Sequence, residues 1–210
     1  MAPVVNFATW TALPGKFGPA LAQFQRIVAA SKRYNPTSSA WITLWGGSES
    51  YHLSMATVSI SLGAAMTEHL AAMSDPEAQA IIAQAAESPV LGGMPSNMLL
   101  RPLDGFRPET WPAGGEPRAA IIAAGALHPD VLAGIPVVGD GADRHGLVAN
   151  FLVAQIGGAA PPHLVSVLTG PADSFGDRFE ALSQDKDVRP VMERTQAHRF
   201  ATYLSQELLV

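Results

Sequence analysis

The feature that most constrains this 210-residue chain is that it repeats itself. Shifted by 111 positions, Gly46-Gly47-Ser48-Glu49-Ser50-Tyr51-His52-Leu53 falls on Gly157-Gly158-Ala159-Ala160-Pro161-Pro162-His163-Leu164, and four of the eight positions are identical. Two more matches follow in the same order: Asp75 falls on Asp185, and Asn97-Met98-Leu99-Leu100 falls on Gln206-Glu207-Leu208-Leu209. A chain of this kind is expected to build one supersecondary unit twice and to bury the apolar faces of the two copies against each other. We read repeats over 3–103 and 118–210. They are joined at 104–117 by a Pro- and Gly-rich linker without periodicity, whose Phe106 and Trp111 are expected to pack onto the body.

Within the first repeat the elements follow from periodicity. Val4–Trp10 reads as a strand by its β-branched and aromatic content. Phe17–Lys32 reads as a helix, with Leu21, Phe24, Ile27 and Val28 on one face. Strands over Ala40–Trp45 and Tyr51–Ile60 flank the Gly-Gly turn. Helices follow over Leu62–Met73 and Asp75–Ala86, the second opened by the capping sequence Ser74-Asp75-Pro76-Glu77. Met94–Pro102 closes the unit as a strand. The order β-α-β-β-α-β is the split ferredoxin-like unit, so the fold class is α+β. The second repeat follows the same order from Arg118–Leu127, except that Asp130–Ala142 carries Pro136 and three glycines. That stretch predicts a short helix or a loop.

Composition enters mainly by exclusion. With no cysteine, disulfides, iron–sulfur clusters, thiolate metal sites and a cysteine nucleophile are ruled out. A net charge of -5 with 13 Lys and Arg argues against nucleic acid or an anionic membrane as partner. The start shows no basic segment ahead of an apolar one, and no apolar run approaches the length of a spanning helix. A cytoplasmic protein is the expectation.

Two ferredoxin-like units with a Gly-Gly hairpin and a split second helix resemble the dimeric α+β barrel superfamily. That group includes antibiotic-biosynthesis-type and haem-degrading monooxygenases and the EthD-like and NIPSNAP-like proteins. The resemblance implies that the sheets of two units close a barrel around a ligand cavity. Here both units lie in one chain, a pseudo-dimer that could pair again as a homodimer. It also implies a cofactor-independent monooxygenase or related enzyme acting on an apolar or aromatic small molecule, with haem as an alternative cofactor. Asn6 corresponds in kind and place to the strand asparagine of the haem-degrading members, which also use a Trp and a His on the second helix. His69 is a loose match for that His, but Leu62–Met73 contains no Trp.

Strand alternation sorts the side chains into two faces. An aliphatic face, with Val5, Phe7, Ile42, Leu44, Leu53, Met55, Met98 and Leu100, is expected beneath helices. The other face collects Asn6, Trp10, Trp41, Thr43, Trp45, His52, Asn97 and Arg101, an aromatic wall with a few polar groups of the kind that lines ligand pockets. On this reading Asn6 orients the substrate and His52 acts as acid or base. Trp10, Trp41 and Trp45 stack on the ligand, with Asn97 and Arg101 as polar partners. The matching face of the second repeat (Asn150, Leu152, Ala154, His163, Val165, Val167) is small and aliphatic, so the cavity is expected nearer the first repeat.

The same tryptophans could instead fill a core, each burying on the order of 200 Å². That alternative makes the chain a non-catalytic ligand- or protein-binding module. A haem-binding relative with His52, His69 or His163 as axial ligand is a third reading. No metal site is expected, because Asp140, Asp143 and His145, with His128 and Asp130 nearby, meet no known ligand spacing. The Gly139-Asp140-Gly141 stretch lacks the third glycine of a dinucleotide fingerprint, and no phosphate loop or nucleophile elbow is present.

Overall fold

Eight strands and six helices form in the computed structural model, which describes residues 2–45, 52–92, 95–107, 118–156 and 163–208. The first half runs β1 (Val4–Thr11), α1 (Phe17–Lys32), β2 (Ser39–Trp45), β3 (His52–Ser59), α2 (Leu62–Met73), α3 (Pro76–Glu87) and β4 (Ser96–Pro102). The second runs β5 (Arg118–Ala126), α4 (Pro129–Arg144), β6 (Val148–Ile156), β7 (His163–Pro171), α5 (Phe175–Gln184), α6 (Val188–Thr195) and β8 (Arg199–Leu208). A 3-10 turn at Gln196–His198 leads into β8.

All neighbouring strands are antiparallel, and the sheet closes in the order β1-β3-β2-β8-β5-β7-β6-β4. Each half therefore contributes four strands in the same relative order, with β4-β1-β3-β2 matching β8-β5-β7-β6. Closure comes from the two junctions between halves, β4 with β6 and β2 with β8. It removes every free sheet edge.

Three apolar layers result. The barrel interior packs Val5, Trp41, Ala56, Val58, Leu100, Ala120, Ile122, Leu152, Val165 and Val167 from both halves, with Phe7 and Met98 against them. Outside, α1 covers the first half through Ala20, Phe24 and Val28, against Ala40 and Leu53 of the sheet. Around the second half, Ala142, Phe175, Leu182 and Val188 of the helices meet Ala119 and Leu168. Phe106 packs on the interior cluster, as the sequence leads one to expect. Trp111 lies outside the described residues.

One expectation fails here. The stretch expected to be a short helix or a loop is the 16-residue helix α4, and it keeps Pro136 inside it. Pro129 occupies its first turn, and the His128 side chain accepts the Asp130 N–H to cap it. Two of its three glycines, Gly134 and Gly141, serve close packing, while Gly139 faces open space. A Cβ at Gly141 would stand 2.2 Å from Val188 Cγ2, and one at Gly134 2.5 Å from Val191 Cγ1. The glycines cost helix propensity, and α6 occupies the space that Gly134 and Gly141 leave.

A similar carboxylate clamp ties the helices in each half. In the first, Asp75 accepts the N–H groups of Glu77 and Ala78 at the start of α3. It also receives Tyr34 Oη at 2.8 Å and Arg33 at 2.7 Å from beyond the end of α1. In the second, Asp185 accepts the N–H groups of Asp187 and Val188 at α6, Arg144 at 2.9 Å and His145 at 3.1 Å. The Tyr34 hydroxyl, the helix N–H groups and Arg33 hold the Asp75 carboxyl below its ordinary range. The Arg144 guanidinium, with the N–H groups and His145, does the same for Asp185.

Candidate functional site

Register decides which face of each strand turns inward, and it divides the residues the sequence groups together. Val5 pairs with Val58 and Leu100, and Phe7 with Ala56 and Met98. The Val5 face of β1 and the Leu100 face of β4 therefore line the barrel. Asn6, Trp10, Asn97 and Arg101 stand on the outer face instead. Asn6 is half-buried opposite Thr57 and Leu99, and Trp10 meets Phe24 of α1 edge-on at 5.5 Å. Asn97 and Arg101 are exposed.

Trp41 and His52 do lie on the inner face. Trp41 is buried and donates its Nε1–H to Ser39 Oγ at 2.8 Å, and His52 Nδ1 shares a hydrogen bond with Thr11 at 3.2 Å. The Trp45 side chain lies outside the described residues. His163, which opens β7 as His52 opens β3, is buried on the inner face, while His69 is exposed on α2. The expected ring of Asn6, three tryptophans, His52, Asn97 and Arg101 does not converge on one space. The interior is packed core at Trp41, in line with the filled-core alternative.

That core holds one group the sequence reading passes over. Glu207 sits on the inner face of β8 opposite Trp41, buried, with no hydrogen-bond partner for Oε2. Burial pushes its pKa up to about 7, against the opposing pull of Arg118 and Lys32.

A cavity opens elsewhere, between the outer face of the second half's sheet and α4, α5 and α6. It measures about 130 Å³. Its floor is Ile121, Ala123, Ala149 and Leu168, and its walls include Ile135, Val138, Phe179 and Met192. The sequence places a cavity nearer the first repeat, whereas this one lies in the second half. What looks aliphatic and small in the second half is the inner face, and the space lies behind it, under helices that include the misread α4.

The polar groups of this pocket gather at one end. His198, Arg199, Thr202 and Ser166 line it, and the exposed Arg199, Thr202 and Ala126 mark its mouth. A glycine lets the turn reach this position, since a Cβ at Gly125 would stand 2.6 Å from the His198 carbonyl oxygen. The His198 ring stacks on His128 with centroids 4.0 Å apart and planes 15° from parallel. Asp130 Oδ2 lies 3.6 Å from His128 Nδ1.

One potential ligand atom from each of His128, Asp130 and His198 falls within 4.8 Å of the others, close enough to consider a cation. His128 Nδ1, however, already accepts the Asp130 N–H. The residues weighed beside them in the sequence are committed elsewhere: Asp143 pairs with Arg107, and His145 with Asp185. His198 and Arg199 were missed because nothing local marks them. They lie 70 or more residues from His128, and only the pairing of β5 with β8 brings the two segments together.

The barrel and its sheet–helix pocket define an α+β barrel protein with both ferredoxin-like units in one chain. Its neighbours among solved structures share that architecture over nearly the full chain. A candidate monooxygenase from Fusobacterium nucleatum superposes with a TM-score of 0.62 at 6% identity, covering 98% of this chain and 91% of that one. An anthrone oxidase-like protein gives 0.61 at 13% identity, covering 100% and 92%. The chlorite dismutase of Candidatus Nitrospira defluvii gives 0.52 at 14%, covering 99% and 92%. At these identities the likeness is one of fold. No family model matches the chain, and no curated protein matches its sequence.

Proposed function

We propose that this protein is a small-molecule enzyme of the monooxygenase type, with its substrate in the pocket beneath α4, α5 and α6. The observation that carries the reading is an apolar pocket with one imidazole and one guanidinium at its mouth. A dry apolar cavity of about 150 Å³ accepts a benzene ring, so the 130 Å³ here suits one aromatic ring. The remainder of a larger substrate would lie across the mouth beside His198 and Arg199. The neighbours that bear monooxygenase and anthrone oxidase names support this class of reaction.

The chemistry such a site can support begins with an activated CH₂ flanked by a carbonyl or aromatic rings. His198 takes one of its protons, and Arg199 faces the negative charge that develops on the substrate oxygen. The carbanion reduces dioxygen and forms a C–O bond, giving a hydroperoxide that loses water to leave a ketone. One oxygen atom enters the product, the other leaves as water, and the CH₂ carbon supplies all four electrons. Haem does not fit the pocket as it stands, because a tetrapyrrole is several times the size of one ring. None of His52, His69 and His163 lines it.

The test uses anthrone and smaller one- and two-ring ketones bearing an acidic CH₂, with oxygen uptake as the readout. Turnover is expected, with a fall of about 10²- to 10⁴-fold in kcat for His198→Ala and little change in KM. Binding of these ketones without oxygen uptake would leave a ligand-binding module. A Soret band on haemin addition that His198→Ala abolishes would overturn the cofactor-free reading.

A further inference from the structure

Helix α2 is the anomaly of the surface: none of its twelve residues is buried. Leu62, Met66, Leu70 and Met73 follow one another at helical spacing, forming one stripe, and each leaves 42–64% of its surface exposed. Ile60 just before the helix is 71% exposed, and Ile82 on the adjoining α3 is 48% exposed. At roughly 200 Å² for each fully exposed side chain, the six present roughly 650 Å² of apolar surface, above the largest patch usual on a monomer. One partner in a stable dimer buries about 800 Å².

We propose that this face is the interface of a homodimer, with α2 of one copy packed on α2 of the next about a twofold axis. The charge distribution selects this occupant. Residues 60–87 contain no Lys or Arg, so an acidic lipid surface finds no partner there. The acidic groups nearby are turned away from the stripe. Glu68 accepts hydrogen bonds from Asn35 and Ser59 at 2.6 Å, and Asp75 and Glu77 pair with Arg33. Beside the exposed His69 the stripe carries no Lys, Arg, Asp or Glu, and an apolar stripe of this kind is self-complementary, which an isologous contact requires. Leu62, Met66 and Leu70 form a ridge of residues four apart. Two such ridges interdigitate with the axes crossing at about 50° and 8–10 Å apart.

Sedimentation equilibrium of the full chain tests this. The expected mass is about 44 kDa, twice the 22.0 kDa chain, and Met66→Glu with Leu70→Glu is expected to raise the dimer Kd at least 100-fold. The far-UV spectrum of that variant should not change, since both side chains are largely exposed. Leu132→Glu, on the exposed part of α4, should leave the dimer intact. The chain has no cysteine, so a single Leu70→Cys variant adds a second readout: it should form an intermolecular disulfide under mild oxidation. A 22 kDa species at 100 μM overturns the proposal. So does a dimer unaffected by the α2 charges, or a monomer that floats with phosphatidylcholine vesicles.

Discussion

Replacing Glu207 with Gln should stabilise the protein at pH 8 and leave it nearly unchanged at pH 4.5. The carboxyl is buried opposite Trp41, and Oε2 has no donor, so ionising it inside the barrel is penalised. Its folded pKa of about 7 stands above the ordinary 4.5. Between those values the folded chain keeps a proton that the unfolded chain has released. Stability therefore falls as pH rises across that window, by up to roughly 1.4 kcal/mol per pH unit. The full difference amounts to about 3 kcal/mol, with the attraction of Arg118 and Lys32 already contained in the folded pKa, and residual solvent screening brings it to about 2 kcal/mol. Gln keeps the shape without the charge. Urea unfolding of both proteins from pH 4.5 to 8.5 measures the difference, and groups common to both proteins cancel. A constant difference across that range, or a less stable Gln variant at pH 8, would refute the argument that burial governs this carboxyl.

The other predictions concern packing and the clamps. Gly141→Ala should destabilise by about 1–3 kcal/mol, because the clash with Val188 outweighs the gain of about 1 kcal/mol in helix propensity. Adding Val188→Ala should recover part of that loss in urea titrations. Trp41→Ala should cost about 3–5 kcal/mol, as for any large core side chain, without altering oxygen uptake per folded molecule. Asp75→Ala and Asp185→Ala should each lower Tm at neutral pH, since both carboxyls are held below their ordinary pKa. Their contribution is present above the ordinary carboxylate pKa and is lost as pH falls through the depressed value, so wild type and variants should converge in acid. Gly125→Ala should push the His198 turn away from the pocket mouth and reduce turnover while leaving the apolar walls intact.

Much of the fold is legible in the sequence because local patterns carry it. The bounds of α1 and α2 follow from apolar periodicity, and the capping sequence at 74–77 marks the start of α3, although Asp75 and not Ser74 caps it. Asp75 and Asp185, which the sequence sets at matching positions, perform similar clamps in both halves. Alternation also partitions β1, β3 and β4 into two faces, while in β2 a bulge between Thr43 and Trp45 breaks it. What it cannot assign is which face turns inward, because both faces of β1 are apolar enough to be buried: Val5 and Phe7 on one side, Ala8 and Trp10 on the other.

Pairing register across strands far apart in sequence made that choice and sent Asn6, Trp10, Asn97 and Arg101 to the outer face. Tertiary contact likewise turned Gly134 and Gly141 of α4 from apparent breakers into contact points for α6, and so built the wall of the pocket. It also brought His198 against His128 and left Glu207 buried without a full set of partners. Periodicity and caps are properties of neighbouring residues, and the sequence by itself determines them. A cavity is the space left between elements, and only the closed barrel with its helices decides where that space falls.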